Sequence, residues 1–277
     1  MPLAEISPGM RLYYEDFGEG DPVVFISGGH LTHKVWESQV AALAGEFRTV
    51  TFDWRGTGLS DKPRGGYTID IAARDVGSLI DALGLSPAVL VGHGLGAHLA
   101  LLTAEARPQS VKGLFLTAAA PWVLGERDGQ VGGLPEDFVR FVTLQKGRAS
   151  VPYAETCFEL GDKWMFHKSQ GPGVNQWILE QALQWPQYVM ECYAASMRQI
   201  DHRERLPRIA CPVVIGQGRH DRKQRYEGAI YLANVLLNAR LKTFENSAHM
   251  PAIEEIDQFN HALLEFARAA MPNRKVA

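Results

Sequence analysis

Two residues suited to proton transfer follow predicted strands in the second half of the chain. Asp221 comes shortly after the apolar run 212–217, and His249 comes shortly after the run 241–244. A carboxylate can fix the tautomer of an imidazole and stabilise its protonated form, while the imidazole moves a proton to and from a nucleophile. Alone, Asp221 has an equally good explanation as a loop cap, and His249 as a surface histidine. Their order after two strands favours a catalytic pair, with His249 as the base and Asp221 as its orienting acid.

A glycine-flanked turn stands upstream of this pair, between a predicted strand and a predicted helix. Residues 92–96 read GHGLG, after the apolar run 89–91 and before an apolar helix. This is the setting of a nucleophile elbow, G-x-S-x-G, whose central residue is strained and pushed out at the top of the strand. Gly94 occupies that central position and has no group that can attack. A phosphate-binding loop is the alternative, but no P-loop lysine and no acidic dinucleotide partner accompany the turn.

The elements that must position these residues alternate along the chain. Short apolar runs bounded by turn residues are typical of buried parallel strands, and helical patterns between them predict an α/β fold with helices on both faces of the sheet. Strands are predicted at Arg11–Phe17, Val23–Ile26, Arg48–Phe52, Val89–Val91, Gly113–Thr117, Val213–Gln217 and Leu241–Phe244. Helices are predicted at Asp70–Leu83, Leu95–Ala106 and Glu254–Ala270. Catalytic groups on such a sheet are expected beyond the carboxyl ends of the strands.

Residues 122–200 break the alternation. They contain no convincing strand and hold four of the six tryptophans. We predict an inserted helical cap at 122–200, between a first part of the core at 1–121 and a second part at 201–277. Most aromatic side chains of the cap are expected to form its own core, and a few to lie over a pocket. Trp122 and Trp164 are the candidates for contact with a substrate.

The elbow at 92–96, the acid loop 218–221 and the histidine loop 246–251 stand in the order nucleophile, acid, base, and in this the chain resembles the α/β-hydrolase family. The resemblance covers nearly the whole sequence. It implies a mostly parallel, eight-stranded sheet with helices on both faces and an inserted helical cap. It also implies a serine-type hydrolase of a carboxylic ester or lactone, with Asp221 and His249 in the triad and neither a metal nor an organic cofactor.

The same resemblance places an oxyanion hole. Two backbone N–H groups must point at the oxygen that becomes negative. One is that of Leu95, directly after the nucleophile position, and the other belongs to the glycine loop after the strand 23–26. Gly29 is the predicted donor and His30 the alternative, because many family members have His-Gly where this chain has Ser27-Gly28. His30 is also a candidate for contact with the substrate, which the aromatic cap predicts to be small and apolar or aromatic.

The glycine at position 94 departs from the family and leaves two explanations open. In the first explanation, serine is the native residue and the chain is a site-directed variant that traps intact substrate. In the second, glycine is native and the protein is a binding module or a non-hydrolytic catalyst. The presence of Asp221, His249 and the glycine loop favours the first explanation.

Two rival functions use the same fold. A cofactor-independent dioxygenase or lyase needs only a His–Asp dyad that deprotonates the substrate, and a ligand-binding receptor needs no turnover at all. Haloalkane dehalogenases and epoxide hydrolases place aspartate at the nucleophile position. This chain has glycine there, so these two functions are disfavoured.

Other titratable groups near the motifs are interpreted as structural. Asp53 ends a predicted strand and could imitate a triad acid, but the sequence 53–58 resembles a structural turn of the family. His93 and His98 flank the elbow and are expected to pack around it.

Composition excludes several classes of protein. The 277 residues include 28 Lys and Arg against 31 Asp and Glu, a formal charge of −3, so the basic face needed to bind nucleic acid is not expected. The sequence has no apolar run of about 18 residues, which predicts no membrane-spanning helix. The start of the chain lacks the pattern of a secretory signal, and the three cysteines form neither a metal-binding spacing nor a disulfide framework. We therefore expect a cytoplasmic protein.

Overall fold

The strands and helices alternate as the sequence predicts. A computed structural model describes residues 2–140 and 153–272 of the chain. Its strands are β1 Leu3–Ser7, β2 Met10–Phe17, β3 Pro22–Ile26, β4 Arg48–Phe52, β5 Ala88–His93, β6 Val111–Thr117, β7 Glu126–Arg127, β8 Gln130–Val131, β9 Val213–Gly218 and β10 Ala239–Phe244. Its helices are α1 Glu37–Leu43, α2 Ile69–Ala82, α3 Leu95–Ala106, α4 136–140, α5 Tyr153–Leu160, α6 Pro172–Ala182, α7 Gln187–Met197, α8 Tyr226–Val235, α9 Pro251–Glu254 and α10 Ile256–Ala270.

Eight of the described strands form one sheet, in the order β1-β2-β4-β3-β5-β6-β9-β10. β2 runs antiparallel to both β1 and β4, and all other neighbours are parallel, so the expected eight-stranded, mostly parallel sheet is confirmed. The chain leaves β3 toward β4 on one side and places β5 on the other. The crevice between the loops that follow β3 and β5 is therefore the switch point, where α/β sheets bind their ligands.

Side chains of the central strands alternate between two apolar layers. In β3, Val24 and Ile26 pack with the helices α2 and α3, whereas Val23 and Phe25 pack with α1 and α10 on the opposite face. All four side chains are fully buried, and burial of each such side chain contributes about 1.5–3 kcal/mol. The short, continuously apolar runs in the sequence follow from this burial on both faces.

The predicted cap begins and ends at one place on the core. Trp122 and Asp201 form an isolated antiparallel bridge, so the two ends of residues 122–200 are neighbours. Helices α4 to α7 lie in this segment, and its residues 141–152 are outside the described part of the chain, as are Met1 and 273–277 of the two predicted core parts. The expectation that the segment contains no strand was wrong, because β7 and β8 form a two-stranded hairpin around the left-handed residues Asp128 and Gly129.

Other elements also differ from the sequence prediction. β1 was not predicted, because it is an edge strand in which only Ala4 is buried and its apolar alternation is weak. The predicted final helix 254–270 is divided at Glu255, whose non-helical backbone (φ −130°, ψ 55°) separates α9 from α10. Among the described residues, none of the helices combines the length and the apolar character that crossing a bilayer requires.

Candidate active site

The elbow is formed by a tight connection between β5 and α3. Gly94 has φ 52° and ψ −114°, a backbone conformation that side chains rarely adopt, and its N–H donates to the Thr117 carbonyl at 2.8 Å. A Cβ atom at Gly96 would overlap the carbonyl oxygen of Ile26, so only glycine allows α3 to start this close to β3. The elbow predicted from the sequence is therefore present, with Gly94 at its apex.

Asp221 and His249 meet in the loops that follow β9 and β10. Asp221 Oδ2 lies 2.9 Å from His249 Nδ1, and both side chains are almost wholly buried. The imidazole Nδ1–H donates to the carboxylate, which leaves Nε2 as the atom that can accept a proton. The structure thus joins two residues that are 28 positions apart in the chain.

Four donors hold the carboxylate in place. Oδ1 accepts the backbone N–H groups of Lys223 and Gln224, both at 2.8 Å. Oδ2 accepts Gln217 Nε2 at 3.1 Å in addition to the imidazole. A carboxylate with this number of donors is fixed in orientation, as the orienting partner of a base must be.

The free nitrogen of the imidazole faces the apex of the elbow. A Cβ atom built on Gly94 would lie 3.5 Å from His249 Nε2. A serine hydroxyl extends one bond further, so its oxygen can come within hydrogen-bonding distance of Nε2. His249 therefore lies between Asp221, which its Nδ1 contacts, and the position of residue 94, which its Nε2 faces.

His249 is held as the neutral form. Burial lowers the pKa of His249 because the charged imidazolium loses its hydration, and the nearby Lys223 ammonium lowers it further, whereas Asp221 opposes both effects. A neutral imidazole is the form that acts as a general base.

Two backbone N–H groups beside the apex have no acceptor in the part of the chain that the structure describes. Within residues 2–140 and 153–272, neither the Gly29 N–H nor the Leu95 N–H hydrogen-bonds another group. The two residues are adjacent, since a Cβ on Gly29 would lie 3.6 Å from Leu95 Cδ2. Leu95 is also the first residue of α3, where the helix dipole favours negative charge. The arrangement suits an anionic oxygen.

The predicted ligand contacts divide into two groups. The His30 ring lies near the rings of Tyr153 and Trp185, with centroid distances of 6.2 and 6.4 Å. Desolvation, and to a smaller extent the charge of Lys223, lowers the pKa of His30 to about 3. Trp164 also lies near the dyad, because its ring packs beside the guanidinium of Arg222, the neighbour of Asp221.

Trp122 differs from these two residues. Its ring packs against Tyr231 at 5.4 Å, and its indole N–H donates to the Gly125 carbonyl at 2.7 Å. The side chain is fully buried. Because these contacts explain the ring without a ligand, we do not include Trp122 in the proposed binding site.

The other titratable residues near the motifs have structural partners. Asp53 accepts the backbone and ring N–H groups of His33, each at 2.9 Å. His93 Nε2 lies 2.9 Å from the His249 carbonyl and holds the histidine loop. His98 pairs with His202 behind the elbow at 2.9 Å.

The sequence interpretation missed two residues at the site. Met190 of α7 reaches the glycine loop, where its Cε lies 3.8 Å from a Cβ position on Gly29. Lys223 stands two residues after Asp221 and acts electrostatically on His30 and His249. Its position on the acid loop was a usable signal, whereas nothing local in the sequence connects α7 with Gly29. No cluster of metal-binding side chains occurs in the described ranges.

A serine at position 94 is expected to strain the elbow. The left-handed φ of Gly94 costs a side chain about 1–3 kcal/mol, while the space around its Cβ is open to 3.5 Å. We predict that Gly94→Ser lowers the free energy of unfolding by this amount in urea titrations. Gly45→Ala is the control, because Gly45 has neither a positive φ nor a neighbour within 4 Å. Equal stability of the serine variant and the parent would contradict the strain.

Comparisons with known proteins agree with this architecture. The sequence model for the alpha/beta hydrolase fold matches residues 21–256. The chain is similar to the AB hydrolase superfamily protein YisY of Bacillus subtilis (strain 168), with 33% identity over 263 residues that cover 94% of this chain and 96% of that protein. It is also similar to a non-heme chloroperoxidase of Streptomyces lividans, with 32% identity over 282 residues, 97% of this chain and 100% of the relative. An esterase structure from Exiguobacterium antarcticum has a TM-score of 0.88 and 27% identity, covering 96% of this chain and 98% of that one.

Proposed function

Because the chain belongs to the α/β-hydrolase fold family, we propose that its site is that of a serine-type hydrolase of carboxylic esters or lactones. The observation that carries the proposal is the alignment of Asp221, His249 and the apex of the elbow. With Gly94 in place, the site lacks the nucleophile and binds an intact substrate without efficient cleavage. With serine at position 94, the site has every group that acyl transfer requires.

In the serine form the first half of the reaction is acylation. The Oγ of residue 94 attacks the ester carbonyl while His249 Nε2 takes its proton. The Leu95 and Gly29 N–H groups hold the carbonyl oxygen as it becomes negative, and Asp221 stabilises the imidazolium. The tetrahedral intermediate then breaks its C–O bond, and the imidazolium gives its proton to the leaving alcohol.

The second half returns the enzyme to its initial state. A water molecule attacks the acyl carbonyl, and His249 accepts its proton. Collapse of the second tetrahedral intermediate breaks the bond to Oγ, which takes the proton back from His249, and the carboxylic acid leaves. Neither half needs a metal or an organic cofactor, because the developing charge is met by backbone N–H groups and by the dyad.

The segment 122–200 supplies the cover of this site in our proposal. Met190 reaches the glycine loop from α7, and the rings of Phe138 and Trp164 pack at 5.0 Å near the acid loop. A cover of this composition excludes water and favours apolar or aromatic parts of a substrate.

The glycine at the apex also supports a second candidate. A dyad that is complete without a nucleophile can deprotonate a substrate directly, which is the chemistry of a cofactor-independent dioxygenase or lyase. Oxygen consumption with heteroaromatic substrates by the chain with Gly94 would favour this candidate. A site that binds small apolar ligands and shows turnover in neither form is instead a receptor.

A structure of the Gly94 chain with an intact ester tests the proposal. We expect the ester carbonyl oxygen about 2.7–3.1 Å from the Leu95 and Gly29 nitrogens, with its carbon near the apex of the elbow. An ester bound with its carbonyl away from both nitrogens would contradict the proposal.

The pH dependence of the serine form follows from the lowered pKa of His249. The imidazole must be neutral to accept a proton, so a lowered pKa preserves activity as the pH falls. We predict that the acid limb of kcat/KM for Gly94→Ser has its midpoint below about 6.5, the ordinary value for histidine. Activity after return to pH 7.5 controls for unfolding. A midpoint above 7 in the folded enzyme would contradict a desolvated base.

A further inference from the structure

A lysine side chain enters the site on the same loop as the catalytic acid. The backbone N–H of Lys223 donates to Asp221 Oδ1 at 2.8 Å, which holds the backbone of Lys223 against the carboxylate. Its Nζ lies 5.4 Å from the centroid of the Phe138 ring, on the cap side of the site. The side chain is only partly exposed. Lys223 therefore lies between the acid loop and the aromatic cover.

No carboxylate of the described residues forms an ion pair with this ammonium. Within residues 2–140 and 153–272, Nζ forms neither an ion pair nor a hydrogen bond. The one described carboxylate that acts on it electrostatically is Asp221, whose oxygens already accept four donors. A cation held in a partly dry site without a partner is costly, and an anion brought by a ligand relieves the cost.

Three imidazoles on which the ammonium acts are neutral. Lys223 acts on His30, His93 and His249, and burial lowers the pKa of all three imidazoles, so none of them carries charge near neutral pH. Desolvation lowers the pKa of Lys223 itself to about 8, which leaves it mainly protonated at neutral pH. The ammonium is thus a charge at the site that an anionic group of a ligand can pair with.

We propose that Lys223 determines specificity by binding a carboxylate of the substrate, so that the preferred esters or lactones carry this anionic group in addition to the bond that is cleaved. This proposal rests on the proposed hydrolase function for the identity of the substrate. The aromatic cover strengthens the ion pair by excluding water. A packing role on Phe138 alone would instead make no distinction between charged and neutral substrates.

Two pairs of esters test the proposal. The first is 4-acetoxybenzoate with 4-acetoxybenzamide, and the second is the mono-4-nitrophenyl ester of glutaric acid with the corresponding ester of glutaramic acid. Each pair exchanges a carboxylate for a carboxamide of nearly equal size, on the alcohol side or on the acyl side. In the Gly94→Ser enzyme we expect kcat/KM to favour the carboxylate about 10- to 100-fold in at least one pair.

Lys223→Met is expected to remove this preference, which is measured as the ratio of kcat/KM for the carboxylate to that for the carboxamide within each pair, whatever its effect on the absolute rates. Lys223→Arg is expected to keep part of the preference, because it keeps the charge. Lys112→Met is the control for loss of one positive charge, since Lys112 is exposed near the amino end of β6, away from the loops of the site. An equal loss for both members of each pair, or a preference that Lys223→Met leaves unchanged, would overturn the proposal.

Calorimetry with the Gly94 chain separates this proposal from the proposed function. The uncleaved esters are titrated into the protein and into its Lys223→Met form. Tighter binding of the carboxylate that disappears in Lys223→Met supports the role of Lys223, even when Gly94→Ser cleaves none of the esters and the hydrolase proposal fails. Equal affinities for carboxylate and carboxamide in the protein with Lys223 would overturn it.

Discussion

Gly94→Ser is expected to raise the hydrolysis of 4-nitrophenyl butyrate by between about 10³- and 10⁶-fold in kcat. The parent keeps the dyad and the two backbone donors, which without a nucleophile give about 10³–10⁴ over the uncatalysed reaction. Loss of a serine nucleophile costs on the order of 10⁶ in kcat, so its introduction at a site that is otherwise complete restores up to this factor. Initial rates with purified parent and variant measure the change.

Gly94→Ala is the matched control for this gain. Alanine introduces the same Cβ into the left-handed backbone but no hydroxyl, so it reproduces the strain and not the nucleophile. We expect its rate to stay within about threefold of the parent. A folded serine variant that is no faster than the alanine variant on a broad panel of esters would refute the hydrolase proposal.

Removal of the dyad in the Gly94→Ser enzyme is expected to have the second largest effect. Asp221→Asn leaves the shape of the loop unchanged but presents an amide to His249 Nδ1, which favours the wrong tautomer and no longer stabilises the imidazolium. In a serine protease this exchange lowers kcat about 10⁴-fold, and we expect a loss of the same order here. His249→Gln removes the base itself and is expected to cost at least as much. Steady-state kinetics with 4-nitrophenyl butyrate measures both losses.

Two exposed residues of α10 provide controls of the same types. Asp257→Asn and His261→Gln make the same chemical exchanges at exposed positions of α10. Both are expected to leave kcat within about twofold. The double variant Asp221→Asn, His249→Gln should lose little more than the worse single variant, because the two residues act as one unit. Additive losses, or losses below tenfold, would contradict a functional dyad.

The loops that carry Gly94, Asp221 and His249 could be placed from the sequence because each belongs to a local pattern. A buried parallel strand appears as a short apolar run, and the residues that follow it lie at one edge of the sheet. Asp221, His249 and Gly94 are each placed by such a run, which is why three residues distant in the chain could be assigned to one site. Their contact depends on the strand order, in which β5, β6, β9 and β10 are successive neighbours.

The features that could not be predicted depend on contacts between distant segments. Trp122 was expected at the pocket because the aromatic residues of the cap either form its own core or line a pocket, and composition cannot separate the two roles. Its partners Tyr231 and Arg203 lie about 110 and 80 positions away in the chain. Met190 reaches Gly29 only through the docking of α7 on the core. The helix α8 was missed because its weak amphipathic pattern follows a charged loop.

Site mapping with a reactive phosphonate tests most directly whether the dyad activates residue 94. The Gly94→Ser enzyme is treated with a 4-nitrophenyl alkylphosphonate, digested and analysed by peptide mass spectrometry, with Gly94→Ser, His249→Gln as the control. The account predicts one phosphonate on Ser at position 94 in the first protein and a strongly reduced yield in the second. An unlabelled residue 94 in the folded enzyme, or equal labelling without His249, would contradict it.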